Sequence, residues 1–143
     1  MIFMLHKINL SIFLLSMFIF SGCKSIEIND VKKQLVLTGH QLGTTKINYT
    51  SIITSKKEFT ILSLKIDTID KEFKSFSVIE LPSGKLKNLN QKLLPGKYFI
   101  ELSIPESLVS KESIDRLTFF ISIKNKRIEL RGETFLDKNL LSK

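Results

Sequence analysis

Beyond residue 30 the chain alternates apolar and polar positions with a period of two. In Tyr98-Phe99-Ile100-Glu101-Leu102-Ser103-Ile104, the residues Tyr98, Ile100, Leu102 and Ile104 share one face of an extended chain. Leu117, Phe119, Ile121 and Ile123 do the same nineteen residues further on. Successive side chains of a strand point to opposite faces, so this pattern predicts half-buried strands; helical spacing organises neither segment. Their β-branched and aromatic content suits a pleated sheet. Similar runs predict strands over 34–38, 46–54, 59–67, 73–81 and 127–133. Turn chemistry separates them: Leu42-Gly43, Pro82-Ser83-Gly84 and Leu94-Pro95-Gly96 are breaks, and Lys124-Asn125-Lys126-Arg127 reads as a tight hairpin. Only 105–115, opened by a proline, has the makings of a helical turn, and it is placed to bridge two sheets. About seven short strands with regular turns predict an all-β fold, an antiparallel β-sandwich of immunoglobulin-like type. A small β-barrel is the alternative, because alternation does not say whether a sheet closes.

The first 22 residues break this pattern. Ile8 to Phe20 is an apolar run of thirteen softened by Asn9, Ser11 and Ser16. A bilayer core of ~30 Å needs about twenty residues of helix, so the run is too short to span. It has the size of a signal-peptide core, preceded by His6 and Lys7 and followed by the small residues Ser21 and Gly22. A start at Met4 would bring Lys7 nearer the terminus, as export signals usually have it.

Phe20-Ser21-Gly22-Cys23 resembles the lipobox of bacterial lipoproteins, with phenylalanine where leucine is commoner. The resemblance covers 23 residues and implies cleavage between Gly22 and Cys23, with diacylglycerol and palmitate-type chains attached to Cys23. It divides the chain into a signal helix over 1–22, a lipidated cysteine and tether over 23–30, and a β-sandwich over 31–143. Lys24 stands where aspartate would signal inner-membrane retention, and no acidic cluster follows Cys23. The resemblance therefore implies the outer membrane, with the domain facing the periplasm. A second, shorter resemblance lies in Leu94-Pro95-Gly96-Lys97-Tyr98, which is similar to a turn of immunoglobulin-like and prealbumin-like sandwich modules. It bears on fold and not on function.

Composition sharpens this picture in two places. Cys23 is the single cysteine, so the folded part does not rest on a disulfide, and several acyl chains on one residue would hold a membrane stably. The net charge is +8, and removing Lys7 with the leader leaves +7. In a cytoplasmic protein such a balance would raise nucleic acid as a partner; an export leader argues against it. The basic residues look scattered over turns, at Lys32-Lys33, Lys56-Lys57, Lys85 with Lys87, and Lys124, Lys126 and Arg127. They read as a solvated surface, with attraction to anionic lipid or an acidic partner as the sharper option.

Candidate chemistry is sparse. His40 is the only histidine after the leader, and without cysteine partners it cannot build a His/Cys zinc site. As a general base it would need an acid and a nucleophile beside it, and no G-x-S-x-G turn occurs. Asp67, Asp70 and Glu72 have a spacing that could offer oxygens to calcium, but Lys71 and Lys74 interrupt them and no glycine shapes a loop. Asn48-Tyr49-Thr50 fits a glycosylation acceptor by chance, and Tyr49 and Tyr98 could stack on sugars or fill a core edge. The reading is of a membrane-anchored, non-enzymatic interaction module with no cofactor and no metal. Its partner would be an envelope protein or an anionic lipid surface. A lipoprotein that binds a sugar or hydrophobic molecule, and an inhibitor or immunity protein, are the alternatives.

Overall fold

A computed structural model describes residues 24–37 and 45–136 and realises the alternation as strands. They are β1 (Ile26–Leu37), β2 (Thr45–Ser55), β3 (Thr60–Ile66), β4 (Glu72–Phe73), β5 (Ser77–Leu81), β6 (Leu86–Lys87), β7 (Gly96–Pro105), β8 (Arg116–Ile123), β9 (Lys126–Glu133) and β10 (Phe135–Leu136). One sheet has the order β10-β1-β2-β7-β5-β6 and the other β4-β3-β8-β9. All pairings are antiparallel except β10 on β1. The sheets stack as a sandwich and do not close into a barrel. The order β1-β2-β7-β5 over β3-β8-β9 is the A-B-E-D over C-F-G order of immunoglobulin-type sandwiches, with three short strands added.

The alternating positions form the core. Ile47, Tyr49 and Ile53 of β2 and Tyr98, Ile100, Leu102 and Ile104 of β7 meet Leu64 and Ile66 of β3 and Leu117, Phe119 and Ile121 of β8. Each fully buried aliphatic or aromatic side chain contributes roughly 1.5–3 kcal/mol, which makes this interface the main stabilising mass. Among the described residues the core draws on nothing before Ile26. Tyr98 also donates its hydroxyl to the Leu94 carbonyl at 2.6 Å and packs edge-on against Phe59, which pins the turn before β7. At the β8–β9 hairpin, Lys124 and Asn125 both have positive φ (49° and 63°), the conformation a two-residue turn needs to match strand twist.

Two boundaries differ from the sequence expectation. Strand β1 begins at Ile26, inside the segment read as a tether, and runs well before the expected 34–38. The pattern hid it because β1 contains a bulge: Asn29 pairs with Ile52 and Lys32 with Thr50, so two residues oppose one. Asp30 takes φ 52° there. The inward set changes from Ile26 and Ile28 to Val31, Lys33 and Leu35, a phase change that reads as a loop in sequence. The expected strand over 73–81 is two strands in different sheets, β4 and β5, joined by a crossing at 74–76. Its mark is a phase slip from Phe73 to Phe76 and Val78. The expected bridge over 105–115 does carry a single 3-10 turn, Glu106–Leu108, between the sheets. The signal helix, Gly22, Cys23 and His40 lie outside the described residues.

The end of β9 passes close to the bulge at Gly132. A Cβ on Gly132 would lie 2.7 Å from Val31 Cγ2. Gly132→Ala is therefore expected to push β9 off β1 and to destabilise the domain by about 1–3 kcal/mol, read as a lower urea midpoint.

Candidate functional site

Two features stand out once the sandwich is in place: a buried polar cluster at one end and a basic cleft at the other. The cluster exists because the β1 bulge turns Lys33 inward. Its ammonium donates to Asp115 Oδ2 at 2.8 Å, the Ser110 carbonyl at 2.5 Å, the Ser113 carbonyl at 2.9 Å and the Ser113 hydroxyl at 3.0 Å. Tyr49 donates its hydroxyl to the same Oδ2 at 2.5 Å, and the Ser113 hydroxyl donates to Oδ1 at 2.8 Å. The Asp115 backbone N–H is taken by Thr134 Oγ1 at 2.9 Å. Lys33 and Asp115 are 1% and 0% exposed, so this is a desolvated ion pair with its lone pairs and protons met. Burial opposes the charge on Asp115, but the hydrogen bonds from Lys33, Tyr49 and Ser113 and the Lys33 charge outweigh it, holding the carboxyl below the usual range. Burial, and then the bond to Asp115, push the Tyr49 phenol well above the tyrosine range. The Lys33 ammonium, the Tyr49 hydroxyl and both Asp115 carboxylate oxygens are bonded to protein partners, and these three side chains are buried. The cluster clamps the crossover into β8 and offers no atom to a substrate.

The cleft lies where the chain enters the sandwich. It encloses about 470 Å³ between the β2–β3 connection, the segment before β7 and the β8–β9 hairpin. Lys56, Lys57, Lys92 and Lys124 line it, with Phe59 and Ile123 as its apolar lining. Its walls are fixed locally. Lys56 donates its backbone N–H to the Ser25 carbonyl at 2.7 Å. Ser55 Oγ bonds Lys57 at both its carbonyl (2.6 Å) and its N–H (3.1 Å). Phe59 and Leu93 exchange backbone bonds of 3.0 and 2.7 Å. One rim carboxylate, Glu58, stands 4.0 Å from Lys92. Lys56, Lys57 and Lys124 have no carboxylate at ion-pair distance among the described residues. Three exposed ammonium groups around a concave wall leave the cleft with uncompensated positive charge.

The residues singled out in the sequence do not converge. Asp67 accepts the Arg116 N–H at 3.0 Å, Asp70 faces Lys65 at 3.4 Å, and Glu72 accepts from Ser63 and Arg127, each at 3.2 Å. Among the described residues no three His, Cys, Asp or Glu side chains gather as metal ligands. Tyr49 and Tyr98 are buried, with hydroxyls bonded to protein, and present no ring to a sugar. Of the basic residues that look scattered in the sequence, Lys56, Lys57 and Lys124 meet in one cleft together with Lys92, and Lys33 is core rather than surface. The phase of Val31, Lys33 and Leu35 was the one local sign that Lys33 points inward. Among the described residues no helix is long and apolar enough to cross a membrane. Comparison with protein-family models, with curated proteins and with solved structures finds no match to this chain.

The cluster makes two predictions. Asp115→Ala strands a buried ammonium and is expected to cost about 3–5 kcal/mol in urea unfolding, with Lys33→Met in the same chain restoring part of the loss. The pH profile follows from the shifts. Asp115 titrates lower folded than unfolded, so its stabilisation is complete above about pH 4 and is lost as pH falls through the folded value. Tyr49 titrates higher folded than unfolded, so its stabilisation is complete below about pH 10 and is lost as pH rises beyond it. Melting curves across pH should show both limbs, and Tyr49→Phe should flatten the alkaline one in part, because Tyr98 is also raised by burial.

Proposed function

We propose that this chain is an outer-membrane lipoprotein, lipidated on Cys23 and facing the periplasm, whose sandwich is a non-enzymatic binding module for an anionic envelope component. The observation that carries this reading is the bond from Lys56 to Ser25 at the rim of the basic cleft. Ser25 is two residues from Cys23, and two extended residues span at most ~7 Å. An acylated Cys23 would thus hold the cleft at the membrane rather than at the end of a flexible leash. The lipobox-like Phe20-Ser21-Gly22-Cys23 supports the anchor, and the uncompensated lysines support an anionic partner.

Capture of a small acidic ligand, such as a sugar carrying phosphate or carboxylate, is a second reading. The cleft volume of about 470 Å³ falls within the range of small-molecule sites and favours it.

The test of the anchor is fractionation of cells making the full chain or its Cys23→Ala variant, fed a labelled fatty acid. The expected result is label and sedimentation with outer membranes for the parent and loss of both in the variant. Equal fractionation and no label in either would sink the lipoprotein reading.

A further inference from the structure

We propose that the end of the sandwich carrying the cleft is a docking face for anionic phospholipid, which stands the domain upright on the bilayer beside its own anchor. This rests on the lipoprotein reading for its setting but on the folded domain alone for its chemistry.

The argument begins with where charge falls. The chain-entry end carries Lys85 in the β5–β6 connection and Lys97 and Lys126 at the starts of β7 and β9, in addition to the four lysines of the cleft, and all of them are exposed. Lys24 stands beside them, just before Ser25. Of the carboxylates in this half, Glu80 is taken by Lys87 at 2.8 Å, Glu58 faces Lys92 and Glu129 pairs with Arg131, which leaves Glu27 and Asp30 on β1. The opposite end is different. There, among the described residues, Asp70, Glu106 and Glu133 pair with Lys65, Lys111 and Arg116, and the unpaired Lys46 and Lys71 are matched in number by Asp67 and Glu112. The molecule is thus polar along the strand axis, and its uncompensated positive end is where the chain arrives from Cys23.

Geometry makes this end fit a bilayer. The Lys56 backbone bonds Ser25, and Cys23 precedes Ser25 by two positions in the sequence, so an acyl anchor there would bring the lysines toward the field of anionic head groups, which reaches ~8 Å at physiological ionic strength. Beside the cleft, Leu94 is 65% exposed next to Pro95, and Leu86, on the edge strand β6, is 67% exposed between Lys85 and Lys87. Bare leucine between lysines is poorly suited to water and well suited to the interface, where the alkyl groups enter and the ammonium groups meet phosphate. A protein partner would have to find this face against the membrane, which is why lipid is the occupant the placement favours.

The test uses residues 24–143, which contain the whole described core and no cysteine. Lysines at an anionic surface each strengthen binding about fivefold, so Lys56→Glu/Lys57→Glu/Lys124→Glu should weaken co-sedimentation with phosphatidylcholine–phosphatidylglycerol vesicles roughly 100-fold or more. The matched control, Lys46→Glu/Lys71→Glu/Lys74→Glu, removes the same charge elsewhere and should lose far less. Melting temperatures of both triples report folding. A solvatochromic dye on Leu94→Cys should shift to the blue on these vesicles, and one on Ser107→Cys should not. Pure phosphatidylcholine should bind neither. Docking is overturned by absence of binding to anionic vesicles, whether or not polyglutamate binds, or by equal loss in the two triples, or by equal dye shifts at both ends. Because Cys23 is absent here, such a failure leaves the fractionation result standing, and the reverse also holds.

Discussion

The ion pair between Lys33 and Asp115 joins the two sheets at the crossover into β8. Lys33 belongs to β1 of one sheet and Asp115 immediately precedes β8 of the other. The connection between them, 106–115, has only one short helical turn of its own, and Ile114 within it is 71% exposed. Lys33 takes two carbonyls of that connection as well as the carboxylate, so one side chain organises a stretch with little hydrophobic burial. Thr134 then ties Asp115 to the end of β9, and β10 pairs with β1 beside Lys33 itself. A desolvated pair of this kind adds little net stability over an apolar pair of the same shape, but a half of it left alone is severely destabilising. Its effect is on specificity: other paths of the crossover would leave an unpaired charge in the core.

The same bulge that aims Lys33 inward shapes the rest of the molecule. Without the extra residue at Asp30, Val31, Lys33 and Leu35 would face out, and Gly132 would have no Val31 to approach. Ser51, which lies opposite the bulge, keeps a buried hydroxyl without a partner, a local cost of the irregularity. β1 therefore starts the fold immediately after the chain enters, and leaves no long tether between Cys23 and the sheet. That short entry is what relates the proposed anchor to the basic cleft.

At the other end, the cleft owes its character to topology rather than to any motif. Lys56 and Lys57 lie in the β2–β3 connection, Lys92 precedes β7, and Lys124 turns the β8–β9 hairpin. Greek-key crossings bring these connections to one end of the sandwich, and hydrogen bonds of Ser55, Ser25 and Leu93 hold their backbones there. Like charges crowded in this way repel, and binding an anion would relieve the repulsion. The paired charges at the far end have no such incentive.

By itself the sequence determined the class of fold and most of its strands, because period-two burial is a local property written directly in Tyr98–Ile104 or Leu117–Ile123. It also determined the hairpin at Lys124-Asn125. It could not place β1 or separate β4 from β5, since a bulge and a sheet crossing both reset the phase on which such reading depends. Only the tertiary structure decided that Lys33 is core while Lys56, Lys92 and Lys124 share a cleft. Those placements depend on partners 77 to 82 residues away for Lys33, and on how separate loops meet for the others. A charge has no periodicity of its own, and its neighbours across space are set by register and crossover, which the local pattern does not encode.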